Sequence, residues 1–148
     1  IMTLAFSNKL KLAYEPDTSL LSSTINGVRQ VKLVKDTSGH YIGTGFINGY
    51  PGKFIIDTGA TDVAISAEMA KKAGVKPKAM VKIHTANGKT KGWSALLNSI
   101  EIGGIVERRV RATIVPSLSN IEVLIGMSFL ERLDFNQEKN TLTLKKRL

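Results

Sequence analysis

The stretch best equipped for chemistry is Phe54-Ile55-Ile56-Asp57-Thr58-Gly59-Ala60. Three apolar β-formers precede the acid and read as a buried strand. Asp57-Thr58-Gly59 then reads as a tight loop, with Gly59 able to take backbone angles closed to other residues and to let another backbone come close. The pattern sets a carboxylate at the end of a core strand, on a loop that packing can hold rigid. Asp and Gly are also ordinary turn residues, so the tripeptide alone does not separate a reactive carboxylate from a plain turn. Its surroundings must do so.

Other chemistries lack their residues. The chain has no cysteine, which removes thiol catalysis, disulfides and cysteine metal sites. His40 and His84 are the only histidines, and without a His-x-x-His spacing no metal site is expected. There is no Gly-x-Ser-x-Gly for a serine nucleophile. Gly43 and Gly45 form a bare Gly-x-Gly with no following Lys-Ser, so no phosphate loop is expected.

The elements that must position Asp57 are short strands. Residues 1–30 have weak periodicity: Pro16-Asp17-Thr18-Ser19 and Ser22-Ser23-Thr24 read as an extension or linker, with one short strand around Leu10, Leu12 and Tyr14. The domain is placed at 31–148. Val31–Lys35 and Tyr41–Ile47 alternate, and Asn48-Gly49 signals a hairpin. Phe54–Asp57 and Val63–Ile65 follow. Ser66 caps a helix over Ala67–Ala73, with Gly74 as its stop. Val81–Thr85 and Thr90–Leu97 flank a polar tip, Ala86-Asn87-Gly88-Lys89. Leu96–Ile102 and Val106–Val115 pair through Gly103-Gly104. Ile121–Ile125 ends at Gly126, and Ser128-Phe129-Leu130-Glu131 fits a capping box on a second helix. Leu133–Asn136 and Thr141–Lys145 close the chain as a hairpin. Such spacing of short strands and turns predicts a compact all-β barrel with two short helices. A faint repeat relates Phe54–Ala73 to Val123–Leu133, with Gly126 near the place that corresponds to Asp57.

Length and composition fit one soluble domain: 148 residues, 43% hydrophobic, 22% charged. No apolar run approaches the roughly 20 residues of a membrane span. No leader pattern opens the sequence, so an anchor or signal would have to lie ahead of Ile1. The net charge of +9 is spread along apparent strands, without a run of five, and reads as a solvated outer face. A basic nucleic-acid-binding barrel is the weakest of the functional readings, and no nucleic-acid partner is expected. Trp93, at the base of the second hairpin, reads as core.

Gly39-His40-Tyr41, Ile47-Asn48-Gly49, Phe54–Ala60, Val63-Ala64-Ile65-Ser66, Thr85-Ala86-Asn87-Gly88 and Leu124-Ile125-Gly126-Met127-Ser128-Phe129-Leu130 occur in that order. Together they resemble the retropepsin-like aspartic proteases, most of all the single-domain bacterial type, over about Val31–Lys146. The resemblance implies a retropepsin-like closed acid-protease barrel with a flap hairpin. It implies that Asp57 is catalytic, supported by Thr58, Gly59 and Ala60. It implies too that Leu124, Ile125 and Gly126 back the active-site loop, and that Thr85, Ala86, Asn87 and Gly88 form the flap that binds substrate. It also implies a periplasmic domain, anchored to the inner membrane by a segment outside this chain.

The chemistry agrees. Carboxylate-driven peptide hydrolysis needs two acids sharing one proton around a water. At about 3 Å two carboxylates cannot both ionise, so the pair splits into an acid and a base. This chain has one Asp-Thr-Gly, and Asp17, Asp36, Asp62 and Asp134 do not repeat its setting. The second carboxylate is therefore expected from Asp57 of another copy, in a homodimer that cleaves polypeptide without a cofactor. The competing reading is a retropepsin-like dimerisation or peptide-binding module with little hydrolysis. It rests on Met127-Ser128, where viral relatives carry Arg-Asn.

Overall fold

The computed structural model describes residues 20–85, 88–118 and 120–148. Within them the chain forms eleven strands and two short helices. Six strands make the barrel: β3 (Tyr41–Ile47), β4 (Tyr50–Ile56), β5 (Val63–Ile65), β7 (Gly88–Ile102), β8 (Ile105–Ile114) and β9 (Val123–Ile125). They pair in the order β3-β4-β9-β5-β8-β7, and β7 returns to β3 through Phe46↔Glu101 and Ile47↔Ile100. The ring is therefore closed, as the expected all-β barrel requires. β6 (Met80–Thr85) pairs on β7 alone and forms the outer strand of a projecting hairpin.

Alternation explains the barrel strands. In β3 Tyr41, Gly43, Gly45 and Ile47 are buried while Thr44 and Phe46 are exposed, the period of a half-buried strand. Asn48 and Gly49 both take positive φ, 51° and 79°, so a two-residue turn joins β3 to β4 with Ile47 opposite Tyr50. The core fills with Phe54, Ile65, Leu97, Ile100, Ile102, Ile105, Ile125, Phe129 and Leu130, all essentially inaccessible.

A second sheet, ordered β1-β2-β11-β10, lies beside the ring. It comprises β1 (Leu20–Ile25), β2 (Val28–Val34), β10 (Asp134–Glu138) and β11 (Thr141–Arg147). One face contributes Val31, Leu33, Leu142 and Leu144 to the core. β1 and the start of β2 fall within the first thirty residues, where the sequence suggests an extension. They pair from Leu20↔Leu33 to Ile25↔Val28, and β2 continues onto β11.

Two expectations need correction. The strands anticipated at Thr90–Leu97 and Leu96–Ile102 are one 15-residue strand, β7. No Gly or Pro interrupts Trp93–Ile102, so nothing in that run ends it. The second helix, α2 (Met127–Leu130), has Gly126 as its N-cap and no side-chain cap. Ser128 sits inside the helix, because its hydroxyl is engaged elsewhere. The other helix, α1 (Ala67–Lys72), is capped as anticipated: Ser66 Oγ accepts from Met69 N at 3.0 Å. Among the described residues no helix is long and apolar enough to cross a membrane.

Candidate active site

β4 and β9 run parallel as neighbours, Phe54↔Val123, Ile55↔Leu124 and Ile56↔Ile125. Both leave the sheet one residue later, β4 into Asp57 and β9 into Gly126. β5 then lies antiparallel on the other side of β9, with Ala64 opposite Leu124. The loop of residues 57–62 must therefore cross the end of β9 to connect β4 to β5. This crossing is why the carboxylate sits at a rim rather than within a strand.

Hydrogen bonds hold the loop against the start of α2. Asp57 N donates to Ile125 O at 2.9 Å, Met127 N to Ala60 O at 2.8 Å, and Ser128 N to Thr61 O at 2.9 Å. Val63 N donates to Ser128 Oγ at 2.9 Å, and that hydroxyl donates to Arg111 O on β8 at 2.8 Å. Ser128 is 2% exposed. Its side chain thus ties loop, helix and β8 together, and both of its buried hydrogen-bonding roles are filled.

Gly126 is needed here for space. Its φ of −106° is open to any residue, but a Cβ would lie 2.2 Å from Asp62 O and 2.8 Å from Ala60 O. The crossing loop rests its carbonyls directly on the glycine. The resemblance places Leu124, Ile125 and Gly126 behind the loop of Asp57, and the structure brings these three and Asp57–Ala60 together. Leu124 is half-buried, while Ile125 and Gly126 are buried.

Asp57, Thr58 and Gly59 are exposed, and Ala60 is half-buried. Asp57 Oδ1 accepts from Gly59 N at 2.9 Å, which fixes the carboxylate's orientation. Its second oxygen and the Thr58 hydroxyl have no partner among the described residues. Asp62 lies at the far end of the loop, where Arg111 Nε approaches its Oδ1 at 3.3 Å. The Arg111 guanidinium also lies 4.0 Å from Glu131. Neither Arg111 nor the buried role of Ser128 is evident from sequence. The available signal for Ser128 is a hydroxyl residue between Met127 and Phe129-Leu130, in an otherwise apolar helix. Among the described residues no three His, Asp or Glu side chains converge to hold a metal ion.

The projecting hairpin begins where the sequence places it. Thr85 ends β6 opposite Gly88, which opens β7 with φ of 110°. Ala86 and Asn87, assigned to the tip, lie outside the described residues. The hairpin's faces differ. Val81, Ile83 and Thr90 are half-buried and Gly92 is buried, whereas Lys82, His84, Lys89 and Lys91 are exposed. His40, the other histidine, is exposed, and Trp93 packs partly buried against the core.

Comparison with known proteins gives a consistent result. The family model described as "gag-polyprotein putative aspartyl protease" matches residues 43–132, which include Asp57, the hairpin and α2. A retropepsin-like aspartic protease from Rickettsia conorii has a similar crystal structure, with a TM-score of 0.68 and 30% identity. The match covers 85% of this chain and 94% of that one. EIAV protease in complex with the inhibitor HBY-793 shares the fold at a TM-score of 0.53 and 15% identity, over 66% of this chain and 90% of that one. Two uncharacterised proteins are each 32% identical. One, from the cobV 5′ region of a Sinorhizobium species, matches over 89% of this chain and 58% of its own length. The other, from Rickettsia prowazekii, matches over 95% and 63%. The chain therefore spans about three-fifths of each of these two relatives.

Proposed function

The chain belongs to the retropepsin-like aspartic proteases, and from that premise we propose that it is an endopeptidase whose site is completed by a second copy of itself. Asp57 of each copy supplies one carboxylate. The ionised member removes a proton from a water held between them, and the water oxygen attacks the peptide carbonyl. The protonated member donates a hydrogen bond to the carbonyl oxygen and stabilises the charge that develops there. Proton transfer to the amide nitrogen then releases the two peptide ends.

One observation carries the requirement for a second copy. The position in register with Asp57 on the parallel neighbour strand is Gly126, so the chain's own repeat offers no second acid. The exposure of Asp57 and the unpaired Thr58 hydroxyl support the reading. A facing loop covers the former and gives the latter a partner. The half-buried face of the β6–β7 hairpin, with Val81, Ile83 and Thr90, suits a flap that closes on an extended polypeptide.

The test is hydrolysis of a peptide library by the parent and by Asp57→Asn, over a range of protein concentration, with sedimentation in parallel. Asn keeps the shape and removes the proton exchange. Because both members of the pair change together, and one acid–base group is typically worth about 10²–10⁴-fold, cleavage is expected to fall below detection with the fold intact. Parent activity per chain is expected to rise with the dimer fraction. A folded Asn variant that cleaves like the parent, or full activity in a monomer, defeats the proposal. A parent that dimerises and binds peptide without cleaving it supports the non-hydrolytic module instead.

A further inference from the structure

The exposed face of the β6–β7 hairpin carries a second, separate feature. Strand pairing places Lys82 directly opposite Lys91 and His84 directly opposite Lys89. All four side chains are exposed and point to the same side of the ribbon. Lys82, Lys89 and Lys91 take part in no ion pair among the described residues. Like charges placed directly across an antiparallel pair oppose strand pairing. Lys82 and Lys91 do so here on a two-stranded projection, where among the described residues β6 pairs with β7 alone. The half-buried side of the hairpin beyond Trp93, with Val81, Ile83 and Thr90, is the opposite one.

We propose that this face is a docking site for an acidic polypeptide segment in extended conformation. The match is one of charge and spacing. Same-face residues on a strand repeat at about 6.8 Å, and neighbouring strands lie about 4.8 Å apart. The face is thus a small lattice of two rows by two columns, three lysine ammonium groups and one imidazole. An extended chain with Asp or Glu at alternate residues presents carboxylates at that same repeat of about 6.8 Å, so each row of the lattice meets one carboxylate. Single-stranded nucleic acid fits less well. Its binding draws on aromatic platforms, and Trp93, the aromatic next in line on this face, is packed against the core. A flat anionic bilayer has no reason to prefer a paired lattice on a narrow ribbon over the other basic surfaces of a chain with net charge +9.

The site is tested by binding alone, so it stands or falls separately from hydrolysis. The probe is a fluorescein-labelled ten-residue peptide of alternating Glu and Thr, titrated by anisotropy with the full chain at several salt concentrations. The variant Lys82→Gln/Lys89→Gln/Lys91→Gln removes three charges from the hairpin. The control variant Lys32→Gln/Lys145→Gln/Arg147→Gln removes three from the terminal sheet. Melting curves for both verify folding, and relief of the Lys82–Lys91 like-charge pair is expected to leave the hairpin variant at least as stable as the parent. The hairpin variant is expected to bind about 10-fold more weakly or worse and to lose much of its salt dependence, while the control stays close to the parent. Equal losses in the two variants mean that net charge alone attracts the peptide, which overturns the site. Tighter binding of a thymidine oligonucleotide, or of phosphatidylserine vesicles, through the same three lysines overturns the assignment of its partner. No measurable binding of the acidic peptide by the parent overturns the proposal outright.

Discussion

Asp57 can be placed from sequence because its setting is local: an acid, a small residue and a glycine at a strand end. Ser128 cannot, because its role is defined by what folds against it. The capping-box pattern draws attention to its backbone position, whereas its hydroxyl joins Val63 N and Arg111 O, 65 and 17 residues away in sequence. Ser128→Ala is expected to leave that N–H and that carbonyl short of partners in a buried site, at a cost of about 1–3 kcal/mol. For a domain of this size that corresponds to roughly 2–4 °C of melting temperature per kcal/mol. Thermal melts of the alanine and threonine variants check it, with threonine, which keeps the hydroxyl, the milder of the two. Asp36 shows the same locality at a turn. Its Oδ1 accepts from Ser38 Oγ, Ser38 N and His40 N. The Ser38 hydroxyl bond first, and then the backbone bond from His40, hold its carboxyl below the ordinary value of 3.8. With the folded pKa depressed, this stabilisation is present above the unfolded value and is lost as pH falls through the folded one. Asp36→Asn is expected to lower the melting temperature near neutrality, where the ionised carboxyl's stabilisation is fully present, and to show little difference from the parent once pH has fallen well below 3.8, where the parent has lost it too. Melts over a pH series check this.

At the level of elements, turn chemistry is the most legible feature and strand continuity the least. Asn48-Gly49 and Gly103-Gly104 each mark a hairpin that the structure contains. Asn26-Gly27 carries the same signal and joins β1 to β2, with φ of 52° and 76°, but the Ser- and Thr-rich strand around it resembles a linker because five of its six residues are exposed. β7 looks like two strands because its burial changes along its length. Its outer part pairs β6 in the projection, and its inner part pairs β8 in the ring. Gly92 lies where the projection leaves the barrel. A Cβ there would stand 2.6 Å from Ile114 O and 2.3 Å from Ile83 Cδ1. Gly92→Ala is therefore expected to cost about 1–3 kcal/mol as overpacking against backbone, and to loosen the hairpin before the barrel. Hydrogen exchange checks it: amides of Val81–Lys91 should exchange faster while those of Leu97–Ile102 keep their protection. In the parent, a bound peptide inhibitor is expected to slow exchange across Val81–Trp93, as lid closure demands. Equal exchange with and without inhibitor counts against a flap.

For the molecule as a whole, the sequence predicts the closed ring through resemblance and patterning, but not the sheet beside it. That sheet depends on pairing β2 with β11, more than a hundred residues apart, and no local pattern encodes such a partner. Shared-site chemistry can also be probed at this level. Mixing parent chain with excess Asp57→Asn chain is expected to lower activity further than dilution with buffer does, because mixed pairs hold only one working carboxylate. Activity that simply tracks the amount of parent chain would show that each copy works alone. The packing at Gly126 bears on how such a protein could evolve. A one-chain enzyme with two acids cannot arise by placing aspartate at the vacant register position, because even a methyl group there meets the carbonyls of Asp62 and Ala60. No succession of point changes at that residue is viable unless the crossing loop is rebuilt first. The accessible route is duplication of the entire coding unit, with each half keeping its own loop and its own glycine. Selection on this fold therefore acts on gene copies and linkers before it can act on residue 126.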